Sequence, residues 1–391
     1  MNNLSPLFFK HTHSDRFLNN ISISGLQDQM LRDARKKIRT AILSAFADVR
    51  KYLGNRGDFD KVTEDAISKI VPKFMTQGSY AYRTLNAPWH ASQQIDLDDG
   101  VYLPMKILED RPELSKEWFF DIIDNALTEL AEAEGWEVCT DKDTCCRVIL
   151  RGKQAHIDVP LYAMPDELHG SMVEEFAATR ASLSMEYILE DHLGTKRFIF
   201  DPTNIYLATR NNGWKRSDPL KIARWFQHQI KRKGERLRRA CRFLKAWRDF
   251  IWESGGPSSI TLMVLADKAY PDQDDQGRDD YVLLKIAETL PEHFRGTVNN
   301  PVDDQEPPLY PRGDIDQDEV VFRAERLLKA LQQTIAGAIS PEEAIAKMQE
   351  TFSDRYPNRP EWIEAVSVAN LVRNTKPVKV RPEPIGNMRS A

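Results

Sequence analysis

Residues 78–104 read GSYAYRTLNAPWHASQQIDLDDGVYLP, a Gly-Ser turn that leads into an acidic strand. In a strand, side chains two apart share a face. Asp96 and Asp98 therefore point one way, while Ile95 and Leu97 point the other way, into a core. Two carboxylates side by side repel, and burying them uncompensated is costly. A divalent cation removes that cost, and Mg²⁺ prefers such hard oxygen ligands. A third carboxylate follows in KQAHIDVPLY, where Ile157, Val159 and Leu161 alternate with His156, Asp158 and Pro160. Two neighbouring strands would bring Asp158 to the first pair. Upstream, Gly78 and Ser79 supply backbone N–H groups that can approach a phosphate closely, with a hydroxyl as a further donor. Phosphate cradle, paired carboxylates, then a single later carboxylate is the layout of a nucleotidyltransferase. In that chemistry one metal activates an attacking 3′-hydroxyl and the other steadies the leaving pyrophosphate. The competing reading is a metal-free acidic edge, since Asp99-Gly100 is a turn-like dipeptide.

Outward from this stretch the chain mixes strands and helices, then turns helical. Helical spacing runs over 26–53 through Leu26, Met30, Ala34, Ile38, Ile42 and Phe46. A second helix is expected over 60–71, and a third over 115–134 with Trp118, Ile122, Ala126, Leu127 and Leu130 on one side. Strands are expected near 95–103, 136–140, 146–151 and 155–162. Beyond 218 the expected helices cover 219–253, 258–271, 279–290, 317–337 and 341–352. DPTN and RNNG near 200–216 mark a candidate domain boundary. The last residues, NTKPVKVRPEPIGNMRSA, hold three prolines and little to bury, and read as a disordered tail. The expected division is 1–215, 216–373 and a tail from 374.

The chain has 391 residues, 41% of them hydrophobic, which is enough for one large or two fused domains. A net charge of −5 argues against whole-surface nucleic-acid binding. Cys139, Cys145 and Cys146 cluster, but adjacent cysteines do not pair usefully, so reduced thiols are expected. A zinc site there would need His156 as a fourth ligand and lacks the usual C-x2-C pairing. No stretch approaches the roughly 18 apolar residues of a membrane helix, and a cytoplasmic protein is expected.

QGSYAYRTLN, QIDLDDGVYLPM and HIDVPLYA closely resemble the bacterial cGAS/DncV-like nucleotidyltransferases, and the likeness continues through SDPLKIARWF, LRRACRFLKAWRD and GGPSSI. The resemblance spans roughly residues 20–350. It implies an α+β fold: a polymerase-β-like core, a helical second lobe and an active site in the cleft between them, with two Mg²⁺ ions. By motif match Asp96, Asp98 and Asp158 would be the catalytic metal ligands, with Asp158 nearest the attacking hydroxyl. Gln77, Gly78, Ser79 and Tyr82 would line the nucleotide pocket. Arg147 resembles an arginine that reaches a nucleotide, Lys245 a triphosphate-contacting lysine and Ser259 a neighbouring hydroxyl contact. Ser217 and Asp304 match further nucleotide-contacting positions. The implied activity is synthesis of a 3′,3′-linked cyclic dinucleotide from ATP and GTP in antiphage signalling, without a nucleic-acid template. Family relatives have their C-terminal residue, here Ala391, conjugated by a partner resembling ubiquitin-activating and conjugating enzymes. One departure concerns folate inhibition in the family, which goes with a tryptophan where this chain has Met75.

KRKGERLRRACRFLKAWRD concentrates nine Lys and Arg residues between Lys231 and Arg248. Leu237, Cys241, Leu244, Trp247 and Ile251 form its apolar stripe, and Arg238, Arg242 and Lys245 an adjacent basic one. That stripe is either a phosphate-facing surface or an ordinary solvated face. Likewise, Ser258 suits a helix cap. The other functions open to such a chain are synthesis of another cyclic di- or trinucleotide, template-independent RNA tailing, and nucleotide binding without catalysis.

Overall fold

The computed structural model describes residues 1–54, 70–104, 116–165, 169, 205–217, 219–271, 277–304, 306–313 and 315–365. The helix expected over 60–71 falls almost wholly outside these residues, as do the tail from 374 and Ala391.

A long helix, α1 (Gly25–Gly54), opens the sheet-bearing part. Its buried line is Leu31, Ala34, Ile38, Ile42 and Phe46, whereas Leu26 is exposed. Strand β1 (Lys73–Gln77) leads into the short helix α2 (Gly78–Ala81) and then β2 (Ile95–Pro104). Helix α3 (Lys116–Glu134) follows, with β3 (Glu137–Cys139), β4 (Cys145–Leu150) and β5 (Ala155–Met164) after it. The buried line of α3 runs through Phe119, Ile123 and Leu127, so Trp118 and Ile122 sit at its flank, partly buried.

The sheet order is β1-β2-β5-β4-β3. β2 and β5 run parallel; β1, β4 and β3 join antiparallel to their neighbours. One face of the sheet carries Ile95, Leu97, Val101, Val148, Ile157, Val159 and Leu161, and packs on α1 and α3. In the region near 200–216, where a domain boundary is expected, the described residues extend the sheet up to Arg216. They form a hairpin, β6 (Tyr206–Thr209) and β7 (Gly213–Arg216), with β6 paired to β5. The Asn and Gly that suggested a linker make the hairpin turn.

Nor is Asp99-Gly100 a turn. Both residues lie inside β2, paired with Thr76 and Met75. Gly100 is needed there, because a Cβ would lie 2.2 Å from the Gln77 amide nitrogen and 3.0 Å from the Tyr102 and Tyr162 rings. Asp99 faces α1 and is buried under Arg39, whose guanidinium donates to both its oxygens.

The helical part is built from α4 (Pro219–Lys233), α5 (Glu235–Ile251), α6 (Ser259–Lys268), α7 (Asp279–Arg295), α8 (Gln317–Ala336) and α9 (Pro341–Phe352). The single helix expected over 219–253 breaks at Gly234, whose φ of +84° is left-handed and suits only glycine readily. Ser258 caps α6 by accepting from the Thr261 N–H, and Ser340 with Glu343 forms a capping box on α9. Leu4, Leu7, Phe8 and Phe17 pack in this helical core rather than in the core beneath the sheet that follows them in sequence. The Leu4 N–H donates to Asp280, itself forked by Arg278, which ties the N-terminal residues to α7. Among the described residues no helix is long and apolar enough to cross a membrane.

Candidate active site

The second face of the sheet carries Asp96, Asp98 and Asp158. β2 and β5 are in register, so Asp98 lies beside Asp158 and Asp96 beside His156. β4 places Arg147 opposite Asp158. All five side chains therefore reach one face by strand alternation alone. Arg147 grips Asp158 with two hydrogen bonds, Nε to Oδ1 at 2.6 Å and Nη2 to Oδ2 at 2.7 Å. That fork raises Arg147 above its ordinary range, chiefly through the hydrogen bonds. His156 Nε2 lies 3.0 Å from Asp96 Oδ1 and 3.9 Å from Asp158 Oδ1. Its Nδ1 lies 2.8 Å from the Gln94 side-chain oxygen.

The carboxylates are not equivalent. Burial first, then the charges of Asp96 and Asp158, push Asp98 up to about 8 against the pull of Arg147. Burial alone would raise Asp96 as well. The facing His156, then Arg147 and Lys245, outweigh it and hold Asp96 below the usual carboxylate range. Asp98 is thus the least compensated of the three carboxylates. Such a set suits a divalent ion. The buried Asp96 Oδ1 and His156 Nε2, which make no regular hydrogen bond, support the same fit.

Gly78 meets this group from β1. Its φ is +63°, and a Cβ there would lie 2.0 Å from Asp98 Oδ2. Only glycine lets the β1–α2 turn approach that carboxylate. A cavity of about 250 Å³ opens here, lined by Gln77, Gly78, Tyr82, Asp98 and Ser217, with Ile260, Asn300, Val302 and Asp303 across it. Its walls come from both the sheet and the helical part. Gln77 is braced from below, donating to the Tyr102 hydroxyl at 2.6 Å and accepting from Tyr162 at 3.1 Å.

Other expected residues sit differently. Ser79 lies in α2 outside the cavity lining, with its carbonyl accepting from the Thr84 N–H at 2.9 Å. Lys245 is buried, and its ammonium donates to the Thr84 carbonyl at 2.8 Å. Burial pushes it down to about 8. Arg238 donates to the Tyr82 carbonyl and Arg242 to Asn86. The basic stripe of α5 therefore clamps the loop 82–86 that follows the Gly-Ser turn. Ser259 lies 3.4 Å from the Arg248 guanidinium. Asp304 is exposed and does not line the cavity; Asp303 does. A larger cavity, about 850 Å³, shares only Tyr82 with this one and is lined by Met75 and by arginines of α1, α4 and α5. The cysteines do not join His156. Among the described residues the one group able to hold a metal is Asp96, His156 and Asp158. Burial, the main cause, raises the Cys145 thiol to about 12 and Cys146 further, so neither is a ready thiolate. His156 is the site residue that sequence reasoning assigned elsewhere, although it sits two positions before Asp158 on the same strand face.

Comparison with known proteins agrees with this geometry. Residues 72–162 match the family described as cyclic GMP-AMP synthase DncV-like, nucleotidyltransferase domain. Residues 234–365 match the cyclic GMP-AMP synthase C-terminal domain. A cyclic GMP-AMP synthase of Escherichia coli is 37% identical over 314 residues, covering 76% of this chain and 71% of the relative. One from Vibrio cholerae serotype O1 is 34% identical over 317 residues, covering 77% and 71%. The Vibrio cholerae DncV structure in complex with the linear intermediate 5′ pppA(3′,5′)pG superposes with a TM-score of 0.79 at 27% identity, covering 94% of this chain and 99% of that one. The DncV complex with GTP and 5MTHFGLU2 gives 0.78 at 27% identity, covering 94% and 100%.

Proposed function

Since this chain belongs to the DncV-like cyclic GMP-AMP synthase family and is a nucleotidyltransferase, we propose that it joins ATP and GTP into 3′,3′-cGAMP with release of two pyrophosphates. The observation that carries the reading is the placement of Asp96, Asp98 and Asp158 on one sheet face, with Asp98 lining a cavity walled by both parts of the chain. Support for the product comes from the relatives, which are cyclic GMP-AMP synthases.

Asp96, Asp98 and Asp158 would hold two Mg²⁺ ions, and metal bound there would supply Lewis-acid stabilisation of the charge on the attacking 3′-hydroxyl and the leaving pyrophosphate. Gly78 leaves room for a phosphate beside Asp98, where any side chain would collide. The Arg147 fork fixes the orientation of Asp158. Gln77, held rigid by Tyr102 and Tyr162, presents a fixed wall to the nucleotide. Lys245 adds positive charge beneath the phosphate site and anchors loop 82–86. Ser217 is placed at the cavity wall by its N–H bond to the Ile205 carbonyl at 3.1 Å. Arg238, Arg242 and Lys245, which a basic RNA track would draw on, hold loop 82–86.

The test is incubation of the purified protein with each pair of α-labelled NTPs and Mg²⁺, followed by phosphatase and chromatography. The reading expects one phosphatase-resistant product that needs both ATP and GTP and vanishes with Asp96→Asn. A ladder of extended RNA, or label released wholly as phosphate, contradicts it.

A further inference from the structure

We propose that Asp96, His156 and Asp158 form a mixed nitrogen–oxygen metal site, at which the nucleotide-free protein loads a first-row transition ion such as Mn²⁺ in preference to Mg²⁺. This deepens the nucleotidyltransferase reading and takes its functional meaning from it.

The backbone makes the site before any side chain is considered. Asp96 and His156 are register partners on adjacent parallel strands, and Asp158 is two residues beyond His156 on the same face. The ligand atoms of the three side chains lie within 4.8 Å of one another. An octahedral ion with bonds of about 2.1 Å sets neighbouring ligands roughly 3 Å apart and opposite ones roughly 4.2 Å apart. The observed 3.0 Å from His156 Nε2 to Asp96 and 3.9 Å to Asp158 fall within that range.

His156 is held as a metal-binding histidine is held. Its Nδ1 faces the side-chain oxygen of Gln94 at 2.8 Å. That oxygen can only accept, so Nδ1 carries the hydrogen, and Nε2 is turned to Asp96, where a bound ion would take the place of an Nε2 proton. The Nε2 end is buried, the side chain being 8% exposed. A simpler role would be an N–H donated from Nε2 to Asp96. The distance of 3.0 Å would allow it, but the direction does not, and neither Nε2 nor Asp96 Oδ1 forms a regular hydrogen bond. Two buried polar atoms side by side without such a bond are costly unless a third atom joins them. Arg147 already engages both Asp158 oxygens, yet each keeps a second lone pair for an ion. Mg²⁺ binds oxygen and sheds water reluctantly, whereas imidazole nitrogen favours transition ions. His156 therefore tilts the site away from Mg²⁺ until nucleotide phosphates add their own oxygens.

The experiment uses the full chain, tag removed, free of nucleotide, in a buffer without nitrogen ligands. Mn²⁺ is titrated and followed by electron paramagnetic resonance, and the bound ion is examined by electron spin echo modulation. The expected result is ¹⁴N modulation from imidazole in the wild type, lost in His156→Gln, with Mn²⁺ held at least 10-fold more weakly. Gln94→Leu, which frees the ring, should weaken Mn²⁺ about 10-fold. Mg²⁺ should displace Mn²⁺ only in large excess. Bound Mn²⁺ with oxygen ligands alone in the wild type, or no bound Mn²⁺ at millimolar concentration, overturns the proposal. The wild-type spectrum decides even if a variant misfolds. A parallel synthesis assay separates the two readings: product without nitrogen coupling refutes this site alone, and nitrogen coupling without product refutes only the proposed activity.

Discussion

Replacing Asp98 with Asn should make the metal-free protein more stable while abolishing synthesis. Asp98 is pushed up to about 8 by burial and by Asp96 and Asp158, against about 3.9 in an unfolded chain. A carboxyl whose folded pKa is raised costs nothing below the unfolded value. Its cost grows with pH from about 4 and levels off above the folded value near 8. At pH 7.5 the full linkage would be about 5 kcal/mol, and relaxation of the site reduces this to roughly 2–4 kcal/mol. At about 2 cal/mol/K of unfolding entropy per residue, that is a Tm gain of roughly 3–5 °C for a chain of this size. The assay is calorimetric melting of wild type and Asp98→Asn in EDTA from pH 4.5 to 8.5. The gap should be small at the acid end and widen towards pH 8. Added Mg²⁺ should stabilise the wild type more than the variant. Asp99→Asn provides the opposite sign, since it breaks the buried pair with Arg39 and should destabilise by about 3 kcal/mol. An Asp98→Asn protein no more stable than wild type at any pH in this range would refute the reasoning.

Gly78→Ala places a Cβ 2.0 Å from Asp98 Oδ2 in a left-handed backbone, so turnover should fall about 100-fold, as measured by steady-state kinetics. Lys245→Met keeps the packing but removes the ammonium beside Asp96, and should raise the KM for NTP about 10-fold or more with only a small change in melting temperature; an unchanged KM would make the lysine purely a clamp on Thr84. Truncation after Asn374 should leave synthesis unchanged and remove any adduct at Ala391 seen by mass spectrometry of protein co-expressed with a conjugating partner.

The part of the site built by strand periodicity was legible in the sequence. Ile95 and Leu97 are buried, Asp96 and Asp98 share the opposite face, and β5 repeats the pattern with Asp158. Alternation alone puts His156 on that face too, but its nearness to the cysteines in sequence drew it towards a different ligand set. Other features depend on partners distant in sequence. The basic stripe of α5 reads as a phosphate-facing surface or a solvated face, and its contacts with Tyr82, Thr84 and Asn86 appear only in the fold. The hairpin at 206–216 carries linker-like residues, and only its pairing with β5 makes it part of the sheet. Asp303 and Asp304 are indistinguishable by composition, and the loop geometry alone puts Asp303 at the cavity. Gly234 lies within a continuous helical pattern, and its positive φ becomes visible only in the fold.

The most direct test of the central claim is the stoichiometry of pyrophosphate release during consumption of equimolar ATP and GTP, with end-group analysis of the purified product. Ring closure predicts one pyrophosphate for every nucleotide consumed and a product with no terminal phosphate for phosphatase to remove. A ratio of one pyrophosphate per two nucleotides, with a 5′-triphosphate left on the product, would mean that the chain makes a linear dinucleotide and would contradict the account.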